Sequence, residues 1–77
     1  MFEYNICNQA DEALFERQCT ALESKIAGLQ EIAYLEDVDG SLTRIYQHQS
    51  GVVKVKNDTQ VDAVYVIAEF DLLPYFR

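Results

Sequence analysis

The sequence predicts an α+β domain of order β-α-β-β-β-β, with one long helix packed on a mostly antiparallel sheet and a short C-terminal turn. Three observations predict it. Residues 1–7 alternate between apolar and polar. A stripe of apolar residues then recurs at helical spacing up to Gly28. Beyond Gly28 the period drops to two, and turn-forming residues interrupt it at intervals.

The first strand follows from Phe2, Tyr4 and Ile6 on one face and Glu3, Asn5 and Cys7 on the other, the pattern of a half-buried strand. Asn8 reads as a helix N-cap, with Asp11 three residues on as in a capping box. Asp11 and Glu12 suit the positive end of the helix dipole. Phe15, Cys19, Leu22, Ile26 and Leu29 follow in steps of four and three, which makes one apolar stripe. The spacing predicts a helix over residues 9–28, with Gly28 as its stop.

Residues 31–38 and 41–48 flank Asp39-Gly40, a strong signal for a tight hairpin turn. Residues 52–56 and 61–70 flank Asn57-Asp58-Thr59-Gln60, a second hairpin. Residues 61–68 are the most apolar run and are expected inside the sheet. In the tail, residues 71–77, Asp71 is placed to cap one helical turn, and Leu72, Leu73, Tyr75 and Phe76 are expected to fold back onto the domain.

Size and composition set limits. The 77 residues make one domain, 1–77. A chain this short buries only about 60% of its unfolded surface, so its stability margin is small. Asp and Glu outnumber Lys and Arg by 13 to 6, for a net charge of -7. That charge disfavours direct nucleic-acid and membrane contact and speeds encounter with basic surfaces. No apolar run reaches the length that spans a bilayer. The opening MFEYNICNQADE lacks the basic and apolar regions of a secretory signal, and a cytoplasmic location is expected.

Chemical motifs are sparse. The segment YLEDVDGSLTRIY resembles a calcium loop only in part: with Gly40 at the sixth position, Leu35 and Tyr46 occupy the first and twelfth, where oxygen ligands are needed. Cys7 and Cys19 read as free thiols, and with His48 they leave no clear metal-ligand set. Cys19 lies on the apolar stripe, and His48 sits at a polar strand end. No cofactor, metal or catalytic residue is predicted. Lys54 and Lys56 read as guards of a sheet edge.

The candidate binding residues come from two features. One is a sheet face turned away from the helix. Tyr65, Ile67 and several of Ile32, Tyr34, Leu42 and Tyr46 are candidates for it, unless the tail covers that side. The other is the acidic run of Glu31, Glu36, Asp37 and Asp39, whose carboxylates could meet a basic partner or imitate the phosphates read by a nucleic-acid-binding protein. The expectation is a non-enzymatic protein-binding module, an inhibitor or regulator of the kind mobile elements encode. It would dock on a basic partner or form a homodimer through Tyr34, Tyr46, Tyr65, Ile67, Glu36, Asp37 and Asp39. Two alternatives stand beside it: a small enzyme or ligand-binding domain with a pocket under the tail, and a structural subunit of an assembly.

Overall fold

In the computed structural model, which describes residues 1–76, the elements follow the expected order. They are β1 (Phe2–Cys7), α1 (Glu12–Lys25), β2 (Gln30–Glu36), β3 (Leu42–His48), β4 (Gly51–Asp58), β5 (Ala63–Ala68) and a 3-10 turn, Leu73–Tyr75. The strands form one antiparallel sheet in the order β1-β5-β4-β3-β2. Four successive antiparallel pairings leave β1 and β2 at opposite edges running the same way, and α1 crosses one face between them. Lys54 and Lys56 therefore stand on the middle strand, not at an edge. Both edge strands carry a bulge, at Asn5/Cys7 in β1 and at Glu31/Ala33 in β2. A bulge blunts an edge against pairing with another chain.

The core is a single apolar layer between α1 and the sheet. Phe15, Cys19, Leu22 and Ile26 from the helical stripe meet Val53, Val55, Val64, Val66 and Ala68, and all of them are fully buried. Burying each large apolar side chain contributes about 1.5–3 kcal/mol. Tyr65 and Ile67 alternate with these valines and point to the open side, as the period of two requires.

The helix is shorter than the spacing predicts. Its N-cap is Asp11, not Asn8, and Asp11 Oδ1 accepts from the Leu14 N–H at 3.0 Å. The cause is tertiary. Asp62 Oδ1 accepts the Ala10 N–H at 2.7 Å and Asn57 Oδ1 accepts the Asp11 N–H at 3.0 Å, which pins residues 10 and 11 to the end of the sheet. At the other end Ile26 is already extended, and a turn closes with the Leu29 N–H donating to Ile26 O over Gly28 at φ 80°.

Both hairpin turns also differ in detail. The first is a three-residue loop, Val38-Asp39-Gly40. Asp37 N donates to Ser41 O, Gly40 N donates to Asp37 O, and only Gly40 takes positive φ. The second turn lies at residues 59–62, because β4 runs on through Asp58, which pairs with Ala63. Asp62 takes φ 55° there, a conformation aspartate tolerates.

The tail folds back, but onto the helix side. Leu72 is fully buried in the apolar layer. The Tyr4 hydroxyl accepts from Leu72 N and donates to Asp71 Oδ1, both at 2.8 Å. Asp71 Oδ1 also accepts from the Leu73 N–H, and the Tyr4 and Phe76 rings meet edge to face at 5.2 Å. The expectation that the tail could seal the open face is thus overturned: Leu72 completes the layer under the helix, Tyr75 and Phe76 pack against that core half-buried, and Leu73 is exposed. Arg77 lies outside the described residues.

Gly51 is the tightest backbone site. At φ 141° an added Cβ would lie 2.7 Å from Glu69 Cβ, while Gly28 faces open space. Glu69 Oε1 also holds the Val52 N–H at 2.6 Å. Gly51→Ala is expected to destabilise by about 2–5 kcal/mol through strain and crowding together, against about 1–2 kcal/mol for Gly28→Ala. Urea unfolding measures both, and equal losses would show that Glu69 does not press on Gly51.

Candidate protein-binding surfaces

The fold gathers acids that lie far apart in the chain. The ends of β2, β4 and β1 and the starts of α1, β3 and β5 converge at one end of the sheet. That end carries Asp11, Glu12, Glu36, Asp37, Asp39, Asp58 and Asp62. Several are employed locally. Asp39 accepts the Ser41 N–H at 2.9 Å, which lowers its pKa. Asp58 accepts from Gln60 N, Val61 N and the Tyr65 hydroxyl. The carboxylates of Glu12, Glu36 and Asp37 have no hydrogen bond or ion pair among the described residues. Ser41 and Thr59 join the two turns by a hydroxyl contact of 3.0 Å, so the acidic end is one surface.

A flank between α1 and β2 continues this surface. Glu12, Glu16 and Glu23 share one side of the helix by their spacing. Tyr34 lies opposite Arg44 in the β2–β3 ladder, and its ring stands edge to face on Phe15. The Arg44 guanidinium lies 4.5 Å from the centre of the Tyr34 ring. Arg44 Nη1 and Nη2 reach Glu16 at 3.4 and 3.5 Å, and Nε lies 3.2 Å from Glu31 Oε1 in an ion pair without hydrogen-bond alignment. Burial opposes the charge on Arg44, but Tyr46, Cys19 and Glu16 more than offset it, so its pKa is raised. Burial pushes the Tyr34 hydroxyl pKa up, and Glu16, Glu12 and Glu36 add to the rise while Arg44 opposes it. Three carboxylates and one cation thus surround this half-exposed residue.

The seven predicted binding residues therefore divide. Glu36, Asp37 and Asp39 stand at the acidic end, with Tyr34 on its flank. Glu31, at the far end of β2, belongs with Arg44 instead. Tyr65 and Ile67 lie on the open face. Tyr46 and Leu42 are core residues on the helix side, at 1% and 5% exposure, and cannot form a docking surface. The two faces of the first hairpin are almost equally apolar, so the alternation alone could not orient them. Sequence reasoning missed Asp11, Glu12, Asp58 and Asp62, whose only signal was net charge.

The reactive residues are engaged in packing. His48 is buried; its Nε2 donates to Ala27 O at 3.1 Å, its Nδ1 accepts the Ser50 N–H at 3.1 Å, and its ring stacks on Phe70. It ties the end of the helix to the β3–β4 turn. Burial raises the Cys19 thiol pKa, and Cys7 is half-buried. Among the described residues no group of three or more His, Cys, Asp or Glu side chains is placed to hold a metal ion, and no helix is long and apolar enough to cross a membrane. No protein-family model, curated protein or solved structure matches the chain.

Tyr46 gives a test of the interior. Its hydroxyl donates to the Glu23 carboxylate, and burial first, then Glu23, raises its pKa above the ordinary 10.0. A raised tyrosine pKa means that the unfolded chain ionises first. Stability is complete below pH 10 and is lost as the pH rises toward the folded value. Thermal melts taken at increasing alkaline pH are expected to fall more steeply for the native chain than for Tyr46→Phe. Parallel curves would show that Tyr46 is not held neutral by the fold.

Proposed function

We propose that the chain is a non-enzymatic protein-binding module that engages a basic partner through its acidic end and the adjoining α1–β2 flank. One observation carries this reading. The topology collects carboxylates from the start of α1 and from both outer hairpin turns on one surface, and three of them are unpaired among the described residues. Such a surface steers a cationic partner at long range. The half-exposed Tyr34 ring, against which Arg44 already lies, adds apolar contact area and a hydroxyl for a partner side chain beside these carboxylates. A nucleic-acid-binding protein has the matching chemistry, because its own contacts are Lys and Arg to phosphate. Blocking such a partner would make the module an inhibitor or regulator.

A ligand pocket beneath the tail finds less support. Leu72 and the Tyr4–Phe76 pair fill that space, and both ring nitrogens of His48 are occupied. The shallow grooves lie on the open side of the sheet instead.

The test starts with partners captured from the source cells and identified by mass spectrometry, whose association rates are then measured across ionic strength. Binding is expected to slow steeply with salt. The triple variant Glu12→Gln, Glu36→Gln, Asp37→Asn is expected to slow it about tenfold or more at low salt while still melting cooperatively, with only the small loss of stability that neutralising Glu12 at the helix start brings. A partner whose association ignores both salt and the triple variant would sink the proposal.

A further inference from the structure

The uncovered side of the sheet is complementary to itself. The register sets Glu3, Ile67 and Lys54 side by side in one row across β1, β5 and β4. The row two residues along holds Asn5, Tyr65 and Lys56. In each row the β5 residue stands in the middle, with a neighbour about 4.8 Å away on either side. Tyr65 and Ile67 are half-buried, Glu3 and Lys54 are exposed, and neither of the latter has an ion pair or hydrogen bond among the described residues.

We propose that this face binds a second copy of the chain, sheet against sheet, about a two-fold axis along β5. Such an axis sets Ile67 against Ile67 and Tyr65 against Tyr65 of the other copy. It also brings Glu3 of each copy over Lys54 of the other, and Asn5 over Lys56. Two ion pairs then flank an apolar centre, and the contact closes as a dimer. Charge selects this axis: one along β4 would set Lys54 on Lys54 and Lys56 on Lys56, at a cost in repulsion. The strands of the two sheets stay aligned, as in a sandwich with a spacing of about 10 Å, which paired lysine and glutamate side chains span. Grooves on both sides of β5, one at Met1, Val52 and Lys54 and the other at Val61 and Ala63, receive side chains of the opposing copy. The bulged edges of β1 and β2 disfavour edge-to-edge pairing as the route to association. This surface meets the acidic end at the Tyr65–Asp58 hydrogen bond but uses none of its unpaired carboxylates, so a dimer forms or fails to form independently of a basic partner.

Sedimentation velocity of the full chain from micromolar to millimolar concentration tests it. The native chain is expected to pass from monomer to dimer. Glu3→Lys and Lys54→Glu change exposed, unpaired side chains and leave the fold intact, which thermal melts check. Each alone is expected to weaken the dimer about tenfold or more, because each sets like charges opposite one another. An equal mixture of the two variants is expected to form a heterodimer of native strength. The lysine introduced in one copy then meets the glutamate introduced in the other, and the remaining native Glu3 and Lys54 still face each other across the axis. A native chain that stays monomeric, a dimer indifferent to both single variants, or a mixture that fails to associate would each overturn the proposal.

Discussion

Everything in this molecule depends on one apolar layer that a single helix must close. Phe15, Cys19, Leu22 and Ile26 cover the valines of β4 and β5, and the tail adds Leu72 beside them. A domain of this size has no second layer to fall back on. The elements that are not under α1 must therefore be secured differently. On β3, the helix-facing positions Arg44, Tyr46 and His48 do this with polar groups. Arg44 and Tyr46 reach Glu16 and Glu23 of the helix, and His48 reaches Ala27 in the turn just beyond its end. These contacts run along the helix almost from end to end and fix its position over the sheet. Burying these side chains is tolerable because each makes a hydrogen bond, although Arg44 Nε has only its ion pair with Glu31.

The same constraint explains what is left uncovered. One helix shields one face, and Leu72, Tyr75 and Phe76 of the tail pack against the core on that same side. The opposite face keeps Tyr65, Ile67, Ile45 and Val52 half-exposed around Lys54 and Lys56. The lysines in the middle strand keep this face soluble, and they also decide which arrangement of a second copy avoids repulsion. An edge location for them would have carried no such consequence.

The order of elements was legible in the sequence because periodicity is local. The stripe from Phe15 to Ile26 and the alternation in β5 are each visible within one segment. The limits of α1 were not legible. Asn8 and Asp11 are both competent caps, and the choice between them rests on Asn57 and Asp62, which are 46 and 52 residues from the amides they hold. The facing of β3 was hidden for a different reason. Leu42, Ile45 and Tyr46 are all large and apolar, so alternation gives no preference until Arg44 and His48 are seen to have partners beneath the helix. Of the binding residues, Tyr65 and Ile67 were readable from strand alternation. Tyr46 was not, because its hydroxyl is satisfied by a residue 23 positions away.

The acidic end shows how topology makes a surface that composition only hints at. Along the chain the acids look evenly spread, which is the pattern of a merely soluble domain. A meander returns successive turns to the same end of the sheet, so the β2–β3 and β4–β5 turns must be neighbours. The helix begins at that end because β1 finishes there. Three structural uses of aspartate, at a helix cap, in a three-residue loop and in a left-handed turn position, then fall close together. Each is explained locally, but their sum is a field that none was placed to create. Glu36 and Asp37 are the exceptions: their carboxylates add charge at that end with no hydrogen bond or ion pair among the described residues, whereas Glu12 serves the helix dipole. Like charges brought together without partners oppose folding, so their presence at this end is the part of the surface that stability alone does not account for.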